Sequence, residues 1–291
     1  MLTAPSPMPG ETPFCPWWLG WLRGTPAFRG KRRLARWLLR AHLGRERMLV
    51  EDRHGCRYRL PHAAEPVAFS LLAEGAYEPE LVDLIDRHLP ADGVFVDVGA
   101  NIGATLLPVM KRRAGRLRAV AIEASPRVFH FLAENVRLNE VAGVTCLNVA
   151  AHERDGEAEF FDAPVTHFGM GSLGAQFGAA PVKVASRRLD GLLAEQGITR
   201  VDVLKMDVEG FESSVVRGAG RLLEGERAPL VVFEFCDWAE ARSPGGAGQA
   251  QRELLARGFQ LWRQADYEAG RAALPGPLTS GFEALVATKG R

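Results

Sequence analysis

The sequence predicts an α/β fold, a largely parallel sheet wrapped by helices on both faces, and three observations carry that prediction. From residue 94 onward, short apolar runs alternate regularly with helical ones. Residues 94–103, VFVDVGANIG, read as a buried strand entering a glycine-rich turn and then a helix, with Gly99 and Gly103 freeing the backbone to turn tightly. A second apolar run, residues 119–122, ends in an acid, Glu123, 26 residues after Asp97.

In chain order, the opening stretch holds Pro5, Pro7, Pro9, Pro13 and Pro16 and reads as disordered, followed by Trp17, Trp18 and Trp21. Residues 28–43, FRGKRRLARWLLRAHL, form an amphipathic basic helix with Leu34, Trp37, Leu38 and Ala41 on one face. Its apolar stripe suits packing on the core or on a second copy in a homodimer, and its arginines suit peripheral contact with an anionic membrane. Residues 48–51 and 57–60 flank His54-Gly55 as a hairpin, and Pro79 precedes a helix over 80–88. Then come strand 94–98, helix 103–113, strand 118–123, helix 125–139, strand 143–149, a polar excursion, helix 189–196, strand 201–207, helix 211–222 and strand 229–235. The excursion contains short strands at 157–162 and 182–186 around a glycine-rich segment, 167–178, that suits a lid. After a linker at 243–248 follow a helix over 249–257, a strand from Phe259 and a closing strand at 282–288, the last two an antiparallel hairpin at the sheet edge. The domain division is a basic extension over 1–60 and one catalytic domain over 61–291.

The chain of 291 residues has a net charge of +1, which hides an asymmetry. Residues 1–60 hold 12 Lys and Arg against 4 Asp and Glu, a balance of +8, which leaves −7 for the rest. An acidic body without a base-methylating motif argues against nucleic acid as a partner. No apolar run reaches the roughly 20 residues that span a bilayer, and no leader is evident, so a cytoplasmic protein is expected. Cys15, Cys56, Cys146 and Cys236 lack metal-ligand spacing, and no metal site is expected.

Ligands of open α/β sheets sit beyond the carboxyl ends of the strands. Asp97 at that position repels a pyrophosphate but suits a cation or a hydroxyl. S-adenosylmethionine offers an ammonium, a sulfonium and a ribose diol, and Glu123 is placed to accept from both ribose hydroxyls. A dinucleotide fits less well, because the turn GANIG lacks the middle glycine of the GxGxxG fingerprint.

The segments GAYEPE, VDVGANIGAT, AIEASP, ENVRLNE, RRLDGLL, VDVLKMDVEGFE and VVFEF together resemble the FkbM family of S-adenosylmethionine-dependent O-methyltransferases over roughly residues 70–235. The resemblance implies a class I, Rossmann-like seven-stranded sheet with an antiparallel final strand, and methyl transfer to a hydroxyl of a saccharide or secondary metabolite. The methionine portion then falls to Asp97, Gly99, Asn101 and Gly103, the ribose to Glu123 with Ala124 and Ser125, and the adenine edge to the region of Ala150. Glu78 either serves the start of the helix over 80–88, where the dipole favours an acid, or contacts the cofactor at its mouth. Asp207 and Glu209 face the acceptor, with Asp207 either a late proton acceptor or a positioning group. Strand alternation places Lys205 beside Asp207, either as the cation that tunes it or as a purely structural ion-pair partner, and His167 is an alternative base on the lid. A catalytically silent scaffold for glycan assembly is the competing class of function.

Overall fold

A computed structural model describes residues 11–26, 28–178 and 180–290; Pro5, Pro7 and Pro9 of the proline-rich start lie outside the described residues. The head comprises α1 (Trp17–Gly24), α2 (Lys31–Leu39) and the hairpin of β1 (Leu49–Glu51) with β2 (Arg57–Arg59). Next comes α3 (Pro66–Glu74), on which α1 and α2 both pack. Sequence periodicity misses α3 because PVAFSLLAE is buried nearly all round and so carries no amphipathic signal. Its ends are well specified: the Glu65 carboxylate accepts from the N–H of Ala68, Pro66 opens the first turn, and left-handed Gly75 closes the last. In α2 the buried residues are Ala35 and Leu39, with Leu34 and Leu38 partly covered. Trp37 and Ala41, expected on the apolar face, instead point outward with the arginines.

The body continues with α4 (Pro79–His88), β3 (Val94–Val98), α5 (Leu106–Arg112), β4 (Arg118–Ile122), α6 (Pro126–Leu138) and β5 (Val144–Leu147). β6 (Ala150–Ala151), β7 (Gly156–Phe160) and β8 (Val182–Arg187) leave the main sheet to form a small one in the order β6-β8-β7. The expected strand over 143–149 therefore stops at Leu147, and its continuation pairs elsewhere. Then follow α7 (Leu189–Glu195), β9 (Val203–Met206), α8 (Glu212–Gly218), β10 (Leu230–Cys236), α9 (Asp237–Glu240), α10 (Gln249–Ala256), β11 (Gln260–Arg263), α11 (Gln264–Glu268) and β12 (Phe282–Thr288).

The main sheet has seven strands in the order β11-β12-β10-β9-β3-β4-β5. β12 is antiparallel to both its neighbours, and the pairs linking β10, β9, β3, β4 and β5 are all parallel. The closing strand thus lies inside the sheet and β11 forms the edge. Successive residues feed opposite faces: Val96, Val120 and Leu204 pack in one core cluster, while Phe95, Ala119 and Val203 pack in another. No helix among the described residues is long and apolar enough to cross a membrane.

The head shares a third cluster with the body, in which Leu22, Leu39 and Tyr58 meet Ile102, Leu107 and Val128. Helix α6 also completes the free edge of β2. Asn135 Oδ1 accepts from the N–H of Arg59 at 2.6 Å, and Asn139 accepts from the N–H and donates to the C=O of Arg57 at 2.8 and 2.7 Å. Four residues of helix rise about 6 Å and two residues of strand about 6.6 Å, so an i,i+4 asparagine pair matches alternate residues of a strand. Buried Glu134 on the same helix pairs with Arg47 and Arg59 at 2.8 and 3.3 Å. The ENVRLNE segment is thereby a clamp on the head.

Candidate active site

The carboxyl ends of β3, β4 and β9 open on a cleft of about 570 Å³. Gly99, Asn101, Glu123, Ala124, Ala150, Asp207 and Glu209 line it, with apolar walls from Val149, Phe160, Leu173 and Phe211. The turn after β3 explains its first glycine. Gly99 has φ +74° and faces the carbonyl of Asp207 so closely that any Cβ would overlap it. Asn101, also left-handed at φ 50°, is one of the few residue types that tolerates this region.

Glu123 is held from both sides, its two oxygens accepting from the N–H of Asn101 at 3.0 Å and of Ser125 at 2.9 Å. Burial pushes its carboxyl up to about 7 against the opposing pull of those two donors. Asn148 braces the same bend, donating to the carbonyls of Glu123 and Ala124 at 2.8 and 3.1 Å.

A second cavity of about 390 Å³ lies across Asp207, lined by Glu78, Leu81, Lys205, Phe233, Glu234 and Phe282. Asp207 borders both cavities. Glu78 therefore belongs to this second chamber and not to the cleft that holds Glu123. Its backbone is left-handed (φ 40°, ψ 57°) immediately before Pro79, a conformation that costs energy for a non-glycine residue and doubly so ahead of proline. Strain of this kind persists only where the surrounding structure over-determines the conformation. Burial and the nearby Asp207 charge raise the carboxyls of both Glu78 and Glu234.

The cation of the site is Lys205, and its closest carboxylate is Asp97. Asp97 and Lys205 are register partners on β3 and β9. Lys205 Nζ donates to Asp97 Oδ1 at 3.0 Å and to the Gly99 carbonyl at 3.2 Å, and stands 3.8 Å from Asp207 Oδ2. The expected pairing of Lys205 with Asp207 is thus the weaker of its two ion pairs. Burial alone would lower the pKa of Lys205, but Asp97 and Asp207 outweigh it and hold the ammonium protonated. Asp97 is fully buried and lines neither cavity, and its Oδ2 has no partner among the described residues.

The block KMDVEGFE divides its charged residues between the site and the loop that holds it. Lys205 anchors Asp97, Asp207 faces both chambers, and left-handed Glu209 lines the cleft. Gly210, at φ +98°, packs where a Cβ would overlap the carbonyl of Ala239. Glu212 turns back to accept from the N–H of Val208 at 2.9 Å and of Gly210 at 3.4 Å, which fixes the loop. Burial pushes Glu209 and Glu212 up to about 8, with Asp207 adding to both. For Glu123, Glu209 and Glu212 the folded pKa exceeds the ordinary glutamate value of 4.5, so the fold binds more protons than the unfolded chain. Their stabilising contribution is complete below that value and disappears as pH rises through 7 to 8. The melting temperature of the ligand-free protein should accordingly fall between about pH 5 and pH 8.5, with a shallower slope in Glu212→Gln. A scan of melting temperature against pH checks this, and a flat profile would contradict it.

Asp97, expected to bind the cofactor directly, lies outside the lining of both cavities, and three further expected site residues also stand elsewhere. Gly103 lies under Leu107 and Leu132, where a Cβ would come within 3.3 Å of both side chains, so its glycine serves helix packing. Ser125 is buried and caps α6, its Oγ donating to Asp162 and accepting from the N–H of Val128. His167 is exposed, its ring beside Phe177 and its Nδ1 beside the Thr166 hydroxyl, outside the lining of either cavity. The glycine-rich excursion does wall the cleft, but through Gly169, Gly171 and Leu173. Gly169 leaves room for the Asn101 side chain, and Gly171 for the Phe160 ring. The aromatic walls Phe160 and Phe211 carry no sequence signal that separates them from core residues.

A seven-stranded sheet with one antiparallel strand, and an acid-lined cleft at the carboxyl ends of its parallel strands, define a class I methyltransferase-like protein. The family described as Methyltransferase FkbM domain matches residues 97–261, and the chain belongs to that family of methyltransferases. It is similar to Methyltransferase sdnD of Sordaria araneosa, 30% identical over 161 residues that make up 45% of this chain and 62% of that protein. Methyltransferase 1 of Beauveria bassiana (strain ARSEF 2860) is 31% identical over 195 residues, 59% of this chain and 74% of that one. The 2-O-methyltransferase NoeI of Sinorhizobium fredii (strain NBRC 101917 / NGR234) is 26% identical over 190 residues, 57% and 74% of the two chains. The first of these relatives is thus matched over less than two thirds of its own length.

Proposed function

We propose that this chain transfers the methyl group of S-adenosylmethionine to a hydroxyl of a small-molecule or saccharide acceptor. The observation that carries the reading is the meeting of two chambers at one carboxylate, Asp207. The donor fits the cleft that Glu123 lines. Glu123, fixed by two backbone donors, keeps lone pairs free for a ribose diol, and Val149 and Phe160 offer flat apolar walls for a base. Asp97, buried outside both cavities, acts on the methionine end through Lys205, which it holds against the Gly99 carbonyl of the turn. With Lys205 committed to Asp97, the Asp207 carboxylate between the chambers favours a sulfonium over a pyrophosphate.

The cofactor supplies a methyl carbon on a positively charged sulfur, transferred by in-line displacement. The chain's own residues align and deprotonate. The smaller chamber, bracketed by Glu78 and Glu234, holds the acceptor, and Asp207 between the chambers accepts its hydroxyl proton as the oxygen attacks. A relative named for 2-O-methylation supports a hydroxyl as the group modified. Calorimetric titration with S-adenosylhomocysteine, against NAD as control, tests the donor half of this reading. Saturable binding of the former alone is expected, followed by label transfer from S-adenosylmethionine in an acceptor screen. Binding of neither ligand would return the chain to the scaffold class, and binding of NAD would refute the cofactor.

A further inference from the structure

We propose that the outward face of α1 and α2 is a docking surface for an anionic lipid bilayer. Of the large aromatics left exposed among the described residues, four belong to the head: Trp17 is 85% exposed, Trp21 57%, Trp37 59% and Phe28 47%, while Phe177, Trp238 and Phe282 stand elsewhere in the chain. Trp17 and Trp21 lie one turn apart on the face of α1 opposite to the buried Leu19 and Leu22. On α2, Arg33, Arg36, Trp37 and Arg40 form a single exposed stripe, while Ala35 and Leu39 face the core. Phe28 stands in the connection between the two helices.

Most of the arginines on this face meet no carboxylate among the described residues: Arg32 pairs with Glu74 at 3.2 Å, but Arg29, Arg33, Arg36 and Arg40 have no such partner. Arg40 lies over the Trp37 ring at 4.8 Å and Arg36 over the Phe69 ring at 5.0 Å, so both guanidinium groups are held at the surface by aromatic faces. A groove of about 1670 Å³ beside them is lined by Phe28, Arg29, Lys31, Arg33 and Arg53. Exposed indoles on α1, and on α2 an exposed indole beside arginines that meet no carboxylate, match a headgroup layer, where the rings enter the interface and the cations meet phosphates.

Two other occupants fit less well. A second copy of the chain related by a two-fold axis would set four unpaired arginines against the same four. An extended nucleic acid would run from this face onto a body of charge −7. The surface also adjoins the reaction site, because the first turn of α4 gives Glu80 to the groove and Leu81 to the smaller chamber.

Flotation of the full chain with vesicles tests the proposal. Recovery with phosphatidylcholine–phosphatidylglycerol vesicles, but not with phosphatidylcholine alone, is expected at low salt, with a blue shift of tryptophan emission. Each surface arginine contributes about fivefold, so R33Q/R36Q/R40Q should partition about a hundredfold less at an unchanged melting temperature. W17S/W37S should lose the bound state as well. Equal recovery with neutral vesicles, no recovery with either, or undiminished binding by the arginine variant would overturn the proposal. So would binding to single-stranded RNA in place of vesicles, or a dimer in the ultracentrifuge that W17S/W37S dissolves.

Discussion

Asp97→Leu is expected to lower the unfolding free energy by about 3–5 kcal/mol, because it leaves the buried ammonium of Lys205 without its main counter-charge. Both side chains are almost wholly removed from water, at 0% and 6% exposure, and they sit directly across from one another on adjacent strands. The remaining acceptors of Lys205, a carbonyl at 3.2 Å and the half-exposed Asp207 at 3.8 Å, cannot replace a carboxylate at 3.0 Å. Lys205→Met strands Asp97 in the same way and should cost a similar amount. The double variant Asp97→Leu/Lys205→Met removes both charges and should recover most of the stability while remaining inactive, since breaking a buried pair costs far more than deleting it. Urea denaturation of the three variants checks the pattern. A wild-type midpoint for Asp97→Leu alone would mean that the pair does not secure β3 to β9.

Asp207→Asn is expected to reduce the turnover of methyl transfer by about 10²–10⁴, with S-adenosylhomocysteine affinity nearly unchanged. The amide keeps the shape and one acceptor oxygen of the carboxylate but cannot take a proton. Asp207 stands at the junction of the two chambers, away from the backbone donors that orient Glu123. Its loss should therefore fall on the acceptor step. Parallel calorimetry and single-turnover transfer separate the two effects; a collapse of cofactor binding with transfer otherwise intact would move Asp207 to the donor side.

Much of this architecture is legible in the sequence because its signals are local. Buried parallel strands such as VFVDV read as continuous apolar runs, and Gly99 and Gly210 mark places where the backbone must come close to another. What is not legible depends on pairing. Lys205 and Asp207 share a strand face, so alternation joins them, yet the stronger partner comes from β3, which only the strand order brings alongside. The role of ENVRLNE was equally hidden, since Asn135 and Asn139 act on a hairpin more than 70 residues away in the chain. Ser125 reads as a ligand contact in AIEASP but is consumed by helix capping.

The placement of β12 between β10 and β11 bears on how the chain is made. Synthesis proceeds from the amino terminus, and β12 is the last of the seven sheet strands to be produced. Until residues 282–288 are available, β10 has one open edge and β11 has no strand to pair with, so the sheet cannot be finished progressively. From the making of β10 to that of β12 the nascent protein must hold this exposed edge, and it closes by inserting a strand into a gap. Phe282 and Ala284, which line the smaller chamber, arrive with that strand, so the chamber is completed in the same event that closes the sheet.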